Sequence, residues 1–269
     1  MKIAVIDGGL HHPLVVDAIS REVSIIPVRD LPATNIMMFD MILILSLTDE
    51  NALMQCRTIL NVFINLGGVI VVLGYRAFKN NWLSQSGFRP TAISNSTSRL
   101  EDDDSKHIFG SVMKIEKSGI HAHGYLESYS SEAKILSKDI IGNAHTAIFR
   151  QNGKGTLFVT TLDPDFHIAS FETSIASRDN SRYLVSKILD WAELEHKRMS
   201  FPILTKYRIL YSIPADRRFK LLICLLITIL ATITMTAMFF NNTDDKLYLA
   251  LSMASSIGSL VLALLTYKS

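Results

Sequence analysis

Side chains that could take part in binding or catalysis lie at four places in the sequence, each directly after an apolar run. Carboxylates, imidazoles, hydroxyls and a guanidinium can hold a ligand by hydrogen bonds and charge, and they can also move protons. If the apolar runs are neighbouring parallel strands, these side chains meet beyond one edge of the sheet, where open α/β folds bind ligands. The candidate ligand-binding residues are Asp7, Gly8, Gly9, His11, His12, Ser46, Tyr75, Arg76, Asp163, Asp165 and His167.

The sequence also contains residues that fit two more specific kinds of site, one for phosphate and one for a metal. Gly8-Gly9 before a helix could admit a phosphate to backbone N–H groups, although two glycines more often form only a turn. His121 and His123 stand at alternate positions and could ligate a metal together with the late Asp and His side chains. A His-x-His pair is common at surface edges, and no His-Glu-x-x-His pattern is present. We therefore expect neither a metal nor another cofactor.

The elements that must position these residues alternate between strands and helices. Strands are predicted over 2–6, 23–28, 39–47 and 69–73, and helices over 13–21 and 49–66. Cys56 falls on the apolar face of the second helix, which makes it a core residue and not a nucleophile. This order predicts an α/β fold with an open, mainly parallel sheet and helices on both faces.

The second half of the domain is less regular. Residues 75–110 carry a Ser/Thr/Asn-rich stretch and the acidic run 101–104, which indicate a long surface loop. Strands are expected over 133–136, 145–150 and 156–161, and an amphipathic helix over 182–196 closes the domain.

Three segments carry a likeness to a known superfamily. They are FDMILIL at 39–45, NLGGVIVVLG at 65–74 and GKGTLFVTTLDPDFH at 153–167. With the order of elements, they make residues 1–195 resemble the class I glutamine amidotransferase-like superfamily, including its trehalose-utilisation-type and other non-amidotransferase members. The resemblance implies a flavodoxin-like α/β domain, and it does not extend to the C-terminal residues.

The resemblance also implies that catalytic residues of this superfamily are missing. Its nucleophilic cysteine follows the strand at 69–73 on a sharp turn, where this chain has Gly74-Tyr75-Arg76. Its catalytic histidine matches His167, but the acid expected two residues later is Ala169. We therefore expect no catalytic residues of this type and no cysteine-based amide hydrolysis.

Two apolar stretches near the C-terminus, 221–240 and 247–267, carry no charged residue. Each has the length of about 20 residues that crosses a bilayer. They predict a transmembrane helical hairpin, with a buried hairpin of a soluble core as the alternative. Small and hydroxylated residues would pack the two helices together, or would also line contacts between subunits or a narrow polar path in an oligomer: Thr228, Thr232, Thr236, Ser252, Ser255, Ser256, Gly258 and Ser259.

The predicted organisation is an α/β domain at 1–195, a basic juxtamembrane linker at 196–220 and the hairpin at 221–269. Lys and Arg residues precede the first span, and two acids lie in the turn between the spans. Because positive flanks stay inside, we expect a multi-pass protein of the inner membrane with both ends in the cytoplasm. The linker mixes basic and apolar residues, which favours lipid headgroups as its partner over nucleic acid.

Composition excludes two classes of protein. A hydrophobic share of 48% and a net charge of +2 do not fit a disordered chain. Two cysteines are too few for a disulfide scaffold, and they fit a reducing compartment.

Two functions remain open. The first is a membrane-anchored, non-catalytic sensor or effector: the cytoplasmic domain binds a small molecule or a partner protein, and the hairpin acts in the membrane, in a homo-oligomer or with another protein. This architecture is similar to membrane effectors of bacterial immunity. The second is a membrane-tethered hydrolase that uses His167 and Asp163, or a metal, in place of the thiol.

Overall fold

The computed structural model describes residues 1–8, 13–19, 21–75, 89–90, 100–102, 122, 124–139, 142–150, 155–170 and 173–198. All of them belong to the first of two units into which the chain divides, Met1–Thr205. Among these ranges, no helix is long and apolar enough to cross a bilayer. The predicted spans at 221–240 and 247–267 lie outside the described residues, as do the hydroxylated residues expected to pack them.

One sheet of ten strands organises the described residues. Its main order is β2-β1-β3-β4-β10-β9-β7-β5, while β8 pairs with both β9 and β6. The strands are β1 (Ile3–Asp7), β2 (Val23–Pro27), β3 (Met41–Ile44), β4 (Val69–Val72), β5 (Arg89–Pro90), β6 (Leu100–Asp102), β7 (Leu126–Ser128), β8 (Lys134–Asp139), β9 (Ala144–Arg150) and β10 (Thr156–Thr160). The helices are α1 (Pro13–Ile19), α2 (Glu50–Gln55), α3 (Arg57–Asn65), α4 (Pro164–Ala169) and α5 (Ile175–Arg198).

The parallel half of the sheet contains β2, β1, β3, β4 and β10. Strands β3 and β4 are buried at every position, as expected for aliphatic runs covered on both faces. On one face, α1, α4 and α5 share a core with Val5, Leu43 and Phe158. On the other, Leu53 of α2 lies with Ile44 and Val72. The predicted α/β fold with helices on both faces is confirmed.

The prediction of a mainly parallel sheet is wrong for the other half. Every pairing of β9 is antiparallel, with β10, β8 and β7, and β6 and β5 add antiparallel strands beyond them. Antiparallel neighbours need only short connections, so residues 124–160 can pair locally without crossover helices. Residues 89–90 and 100–102, expected to lie in a long loop, form β5 and β6.

Helix bounds also differ from the expected ones. The helix expected over 49–66 begins where the Asp49 side chain accepts a hydrogen bond from the Asn51 N–H at 2.9 Å. It is interrupted at Cys56, which separates α2 from α3. The last helix begins at Ile175 and not at residue 182. Its first turns carry Ser, Asp and Asn, so the sequence there shows no helical repeat of apolar residues.

Candidate functional site

The carboxyl ends of β1, β3, β4 and β10 meet at one edge of the sheet. The N–H of Gly74, after β4, donates to the carbonyl oxygen of Leu162, after β10, at 2.6 Å. After β1, a Cβ built on Gly8 would lie 2.9 Å from the Cα of Thr48, which follows β3. The four strand ends therefore bring the early, middle and late candidate residues of the sequence together, as the parallel order predicts.

Gly74 turns the chain sharply after β4. Its φ is +55°, a left-handed conformation that glycine adopts without steric cost. A Cβ at this position would lie 2.3 Å from the Cβ of Ser46 and 3.2 Å from that of Asp163. The backbone therefore makes a sharp turn after the strand, and the space that a side chain would need there is already filled.

Ser46 is bound to Asp165 by two hydrogen bonds. The backbone N–H and the hydroxyl of Ser46 both donate to Oδ2 of Asp165, at 2.8 and 2.7 Å. Both residues are buried. Hydrogen bonds to a shared acceptor fix the turn after β3 against the start of α4, 119 positions later in the chain.

His167 lies between Asp163 and α5. Its Nε2 is 3.6 Å from Oδ1 of Asp163, and its Nδ1 is 3.5 Å from the hydroxyl oxygen of Ser177. The side chain of Asp163 is fully buried, and that of His167 is 8% exposed. These groups hold α4 to the first turn of α5, and they lie beneath the surface of the edge.

A small pocket opens beside this cluster, between the ends of β3 and β4 and the start of α2. It holds about 20 Å³, enough for one water molecule. Its polar groups come from Thr48, Glu50 and Tyr75, and its remaining lining is apolar: Ile44, Leu45, Leu47, Leu53, Val72, Leu73 and Gly74. A recess of this size can take a water molecule or one terminal group of a ligand whose remainder lies outside it.

Tyr75 and Glu50 set the electrostatics of the pocket. Burial raises the pKa of the Tyr75 hydroxyl far above its ordinary value, and the nearby carboxylate of Glu50 raises this pKa further. Tyr75 is therefore a protonated hydroxyl at every physiological pH. The Tyr75 N–H is held by the carbonyl oxygen of Thr160 at 2.8 Å, which fixes the base of its side chain.

Leu47 adds a conformational outlier to the same pocket. Its φ is +64°, in the left-handed region that residues with a Cβ rarely adopt. Hydrogen bonds hold the residues on either side of Leu47. Ser46 donates to Asp165, and the hydroxyl of Thr48 donates to the Leu45 carbonyl oxygen at 2.8 Å. Such conformations cost free energy and cluster at functional sites, where neighbouring contacts maintain them.

The candidate residues named from sequence divide into three groups. Ser46, Asp163, Asp165 and His167 form one buried cluster, and Tyr75 lines the pocket next to it. Asp7 and Gly8 end β1 at the same edge, and Asp7 is partly exposed. The others lie outside the described residues: Gly9, His11, His12 and Arg76, together with His121 and His123 of the metal hypothesis.

Metal ligands are not assembled in the described ranges, where no group of three His, Cys, Asp or Glu side chains is placed to hold an ion. Cys56 is buried, as predicted, and burial raises the pKa of its thiol. A thiol in this state is a poor nucleophile.

Sequence reasoning missed Glu50, Leu47 and Ser177. For Glu50 a signal existed: it follows the capping residue Asp49, which places it in the first turn of a helix that starts at the carboxyl edge. No local pattern marks the conformation of Leu47. The contact of Ser177 with His167 depends on a helix start that the apolar period did not detect.

No family model and no curated protein matches the chain. Among solved structures, it is similar to one described as a GMP synthase subunit from Thermoplasma acidophilum, at 12% identity and a TM-score of 0.47. That match covers 72% of this chain and 97% of the other. It is also similar to the exo-β-1,4-mannosidase Op5Man5 from Opitutaceae bacterium strain TAV5, at 13% identity and a TM-score of 0.46. This second match covers 70% of this chain and 35% of the mannosidase.

Proposed function

We propose that residues 1–198 are a non-hydrolytic binding domain, and that the protein is a membrane-anchored sensor or effector. The domain takes a small molecule or a partner's side chain at its carboxyl edge. The C-terminal hairpin predicted from sequence acts in the membrane in response.

The observation that carries the proposal is the conformation of Gly74. Sharp turns that follow a strand at this edge are where α/β enzymes present a nucleophile. Here the turn has φ +55° and no side chain, and the space that a Cβ would take lies 2.3 Å from the Cβ of Ser46. A domain with this turn can bind at its edge, but it presents no nucleophile from it.

The buried polar cluster favours binding over a tethered hydrolase. Hydrolysis by His167 and Asp163 needs a water molecule at the imidazole, within about 3 Å. The Asp163 side chain is fully buried, and Nδ1 of His167 faces Ser177 at 3.5 Å. The pair therefore joins two helices, while the adjoining pocket lined by Glu50 and Tyr75 has room for one small group.

Capture of a ligand by the full-length chain tests the proposal. Purified protein is incubated with the small-molecule fraction of a cell extract and recovered, and the bound compounds are released by denaturation and identified by mass spectrometry. The site variant carries Glu50→Gln and Tyr75→Phe, which keep side-chain shape while removing a charge and a hydroxyl.

The matched control makes the same chemical changes at exposed positions, Glu127→Gln and Tyr129→Phe. The proposal expects one compound to be enriched on the parent chain and on the control but lost from the site variant. If all three proteins retain the same compounds equally, the pocket is not the binding site.

A further inference from the structure

The pocket beside Tyr75 has a lining that favours one kind of chemical group. Its polar side chains are Thr48, Glu50 and Tyr75, and the other lining residues are apolar or glycine. Glu50 carries the one formal charge among the lining residues that the structure describes, and this charge is negative. Burial raises the pKa of the Tyr75 hydroxyl and the Glu50 carboxylate raises it further, which places these two groups within electrostatic reach. A positively charged group is therefore the electrostatic complement of the pocket.

The same three side chains supply hydrogen-bond acceptors. A carboxylate has about four lone-pair positions, so Glu50 can accept from a ligand in addition to its interactions within the chain. The Thr48 hydroxyl donates its proton to the Leu45 carbonyl oxygen at 2.8 Å, which leaves the lone pairs of its own oxygen for a donor. The oxygen of the protonated Tyr75 hydroxyl can accept in the same way. These acceptors match the three N–H donors of a primary ammonium group.

The size of the recess limits which charged groups fit. A volume of about 20 Å³ takes a group of the size of a water molecule. An ammonium group has a single heavy atom, as water has, whereas guanidinium and quaternary ammonium groups are larger. A carboxylate or phosphate would meet the charge of Glu50 with the same sign and bring no donor. A neutral hydroxyl fits the volume but lacks the attraction to Glu50, which the apolar lining strengthens.

We propose that this pocket binds a primary ammonium group, supplied by a small amine or by the lysine side chain of a partner. Glu50, Thr48 and Tyr75 accept its hydrogen bonds, and the remainder of the ligand lies outside the recess. The proposal rests on the proposed function, because it names the group by which the ligand of this edge is recognised.

Methylammonium is the probe that tests this recognition. The full-length chain is given about 100 mM methylammonium chloride at pH 7, where primary amines are protonated, or the same concentration of tetramethylammonium chloride. The readout is the hydrogen-exchange rate of the amide of Leu53, a lining residue whose N–H donates to the Asp49 carbonyl oxygen at 3.0 Å. The tightest ligands of this size dissociate at about 6 mM, which would slow exchange up to about 17-fold. The proposal expects methylammonium to slow exchange at least about threefold and tetramethylammonium to leave it unchanged.

Two variants assign the effect to the carboxylate. Glu50→Gln keeps the shape of the side chain and removes its charge, so the slowing should disappear. Glu127→Gln makes the same change at an exposed position and should keep it. Methylammonium that slows exchange no more than tetramethylammonium in the parent chain overturns the proposal, and this comparison does not depend on the folding of a variant. Equal slowing in the parent and in Glu50→Gln overturns it as well.

Capture from an extract whose amines have been acetylated separates this proposal from the proposed function. Acetylation turns a primary ammonium group into a neutral amide, so a small amine recognised through that group should no longer be enriched on the parent chain. A compound that is still enriched, and is lost from the Glu50→Gln/Tyr75→Phe chain, would support binding at this edge and contradict the ammonium group. Methylammonium binding without capture of any amine from the untreated extract would support the proposal with a partner's lysine as the source.

Discussion

Gly74 and Ser46 lie in close contact at the ends of β4 and β3. The turn at Gly74 has the sharp geometry on which a catalytic side chain could be presented, but Ser46 and Asp163 occupy the space beside it. Ser46 in turn is fixed by its two hydrogen bonds to Asp165. Placing a side chain at position 74 would therefore disturb a buried hydrogen-bonded group as well as the turn.

The first prediction concerns Gly74→Ala. A Cβ there meets a left-handed backbone, which costs about 1–2 kcal/mol, and a crowded interior, which costs about 1–3 kcal/mol more. Denaturant titration should show the free energy of unfolding lowered by about 2–5 kcal/mol. Gly142→Ala is the control, because Gly142 also has positive φ, +92°, but nothing lies within 4 Å of its added Cβ. Equal losses in the two variants would contradict the crowding at Gly74.

The second prediction concerns the pH dependence of stability. The pKa of Tyr75 is raised in the folded chain, first by burial and then by Glu50, from an ordinary value of 10.0. Above that pH the unfolded chain releases this proton while the folded chain keeps it, so stability falls as pH rises. The contribution is at most about 1.4 kcal/mol per pH unit.

Stability measured from about pH 9 to 11.5, a range that brackets the ordinary tyrosine pKa, should therefore fall less steeply for Tyr75→Phe than for the parent. Tyr129→Phe is the control, because that side chain is 40% exposed, and it should follow the parent. A Tyr75→Phe protein with the parent's slope would show that Tyr75 ionises freely in the folded chain.

The sequence predicted several of the residues that lie at the site, but it did not predict that their side chains are buried. Asp163, Asp165 and His167 follow an apolar run, and that position alone placed them at the carboxyl edge. Their burial depends on Ser46 and Ser177, which come from distant or undetected elements. A polar side chain gives no local sign that its partner lies 119 positions away.

At the scale of elements, α5 is stabilised most clearly near its end. Glu195 is 5% exposed and accepts two hydrogen bonds from Arg150, and the same contact raises the pKa of the Arg150 guanidinium. The pair between Asp179 and Arg182 on the same helix is exposed. The two ion pairs should therefore differ in their effect on stability.

The third prediction compares these pairs. Glu195→Gln removes the charge from a buried acceptor of two hydrogen bonds and should lower the free energy of unfolding by about 1–3 kcal/mol. Asp179→Asn should change it by less than about 0.5 kcal/mol, because water screens an exposed pair. Thermal or denaturant unfolding measures both, and a larger loss in Asp179→Asn would overturn the assignment.

The parallel strands could be predicted because each coincides with a mainly apolar run, whereas the break at Cys56 in the helix expected over 49–66 had no counterpart in the apolar pattern. Residues 69–73 form an aliphatic run, and the run ends at a glycine. Strands β5 and β6 could not be predicted, since two or three residues without alternation become strands only through pairing with β7 and β8. The start of α5 was missed because its buried positions there are serines.

At the scale of the whole molecule, the proposed function needs both the α/β domain and the hairpin predicted at 221–269. The fourth prediction concerns the topology of that hairpin. In a chain with Cys56→Ala and Cys224→Ala, a membrane-impermeant maleimide should label Thr243→Cys from outside intact cells. It should label Ser269→Cys only after the membrane is opened, because basic flanks keep both ends inside. Labelling of Thr243→Cys only from the cytoplasmic side would contradict this topology.

The central claim is that the carboxyl edge binds without turnover, and the fate of the captured compound tests it most directly. The compound is incubated with the full-length chain for hours, and its mass is followed over time, with the Glu50→Gln/Tyr75→Phe chain alongside. We expect the parent chain to bind the compound and return it at its original mass, while the variant does not retain it. A product that accumulates in proportion to the parent chain, and not with the variant, would show that this edge is an active site.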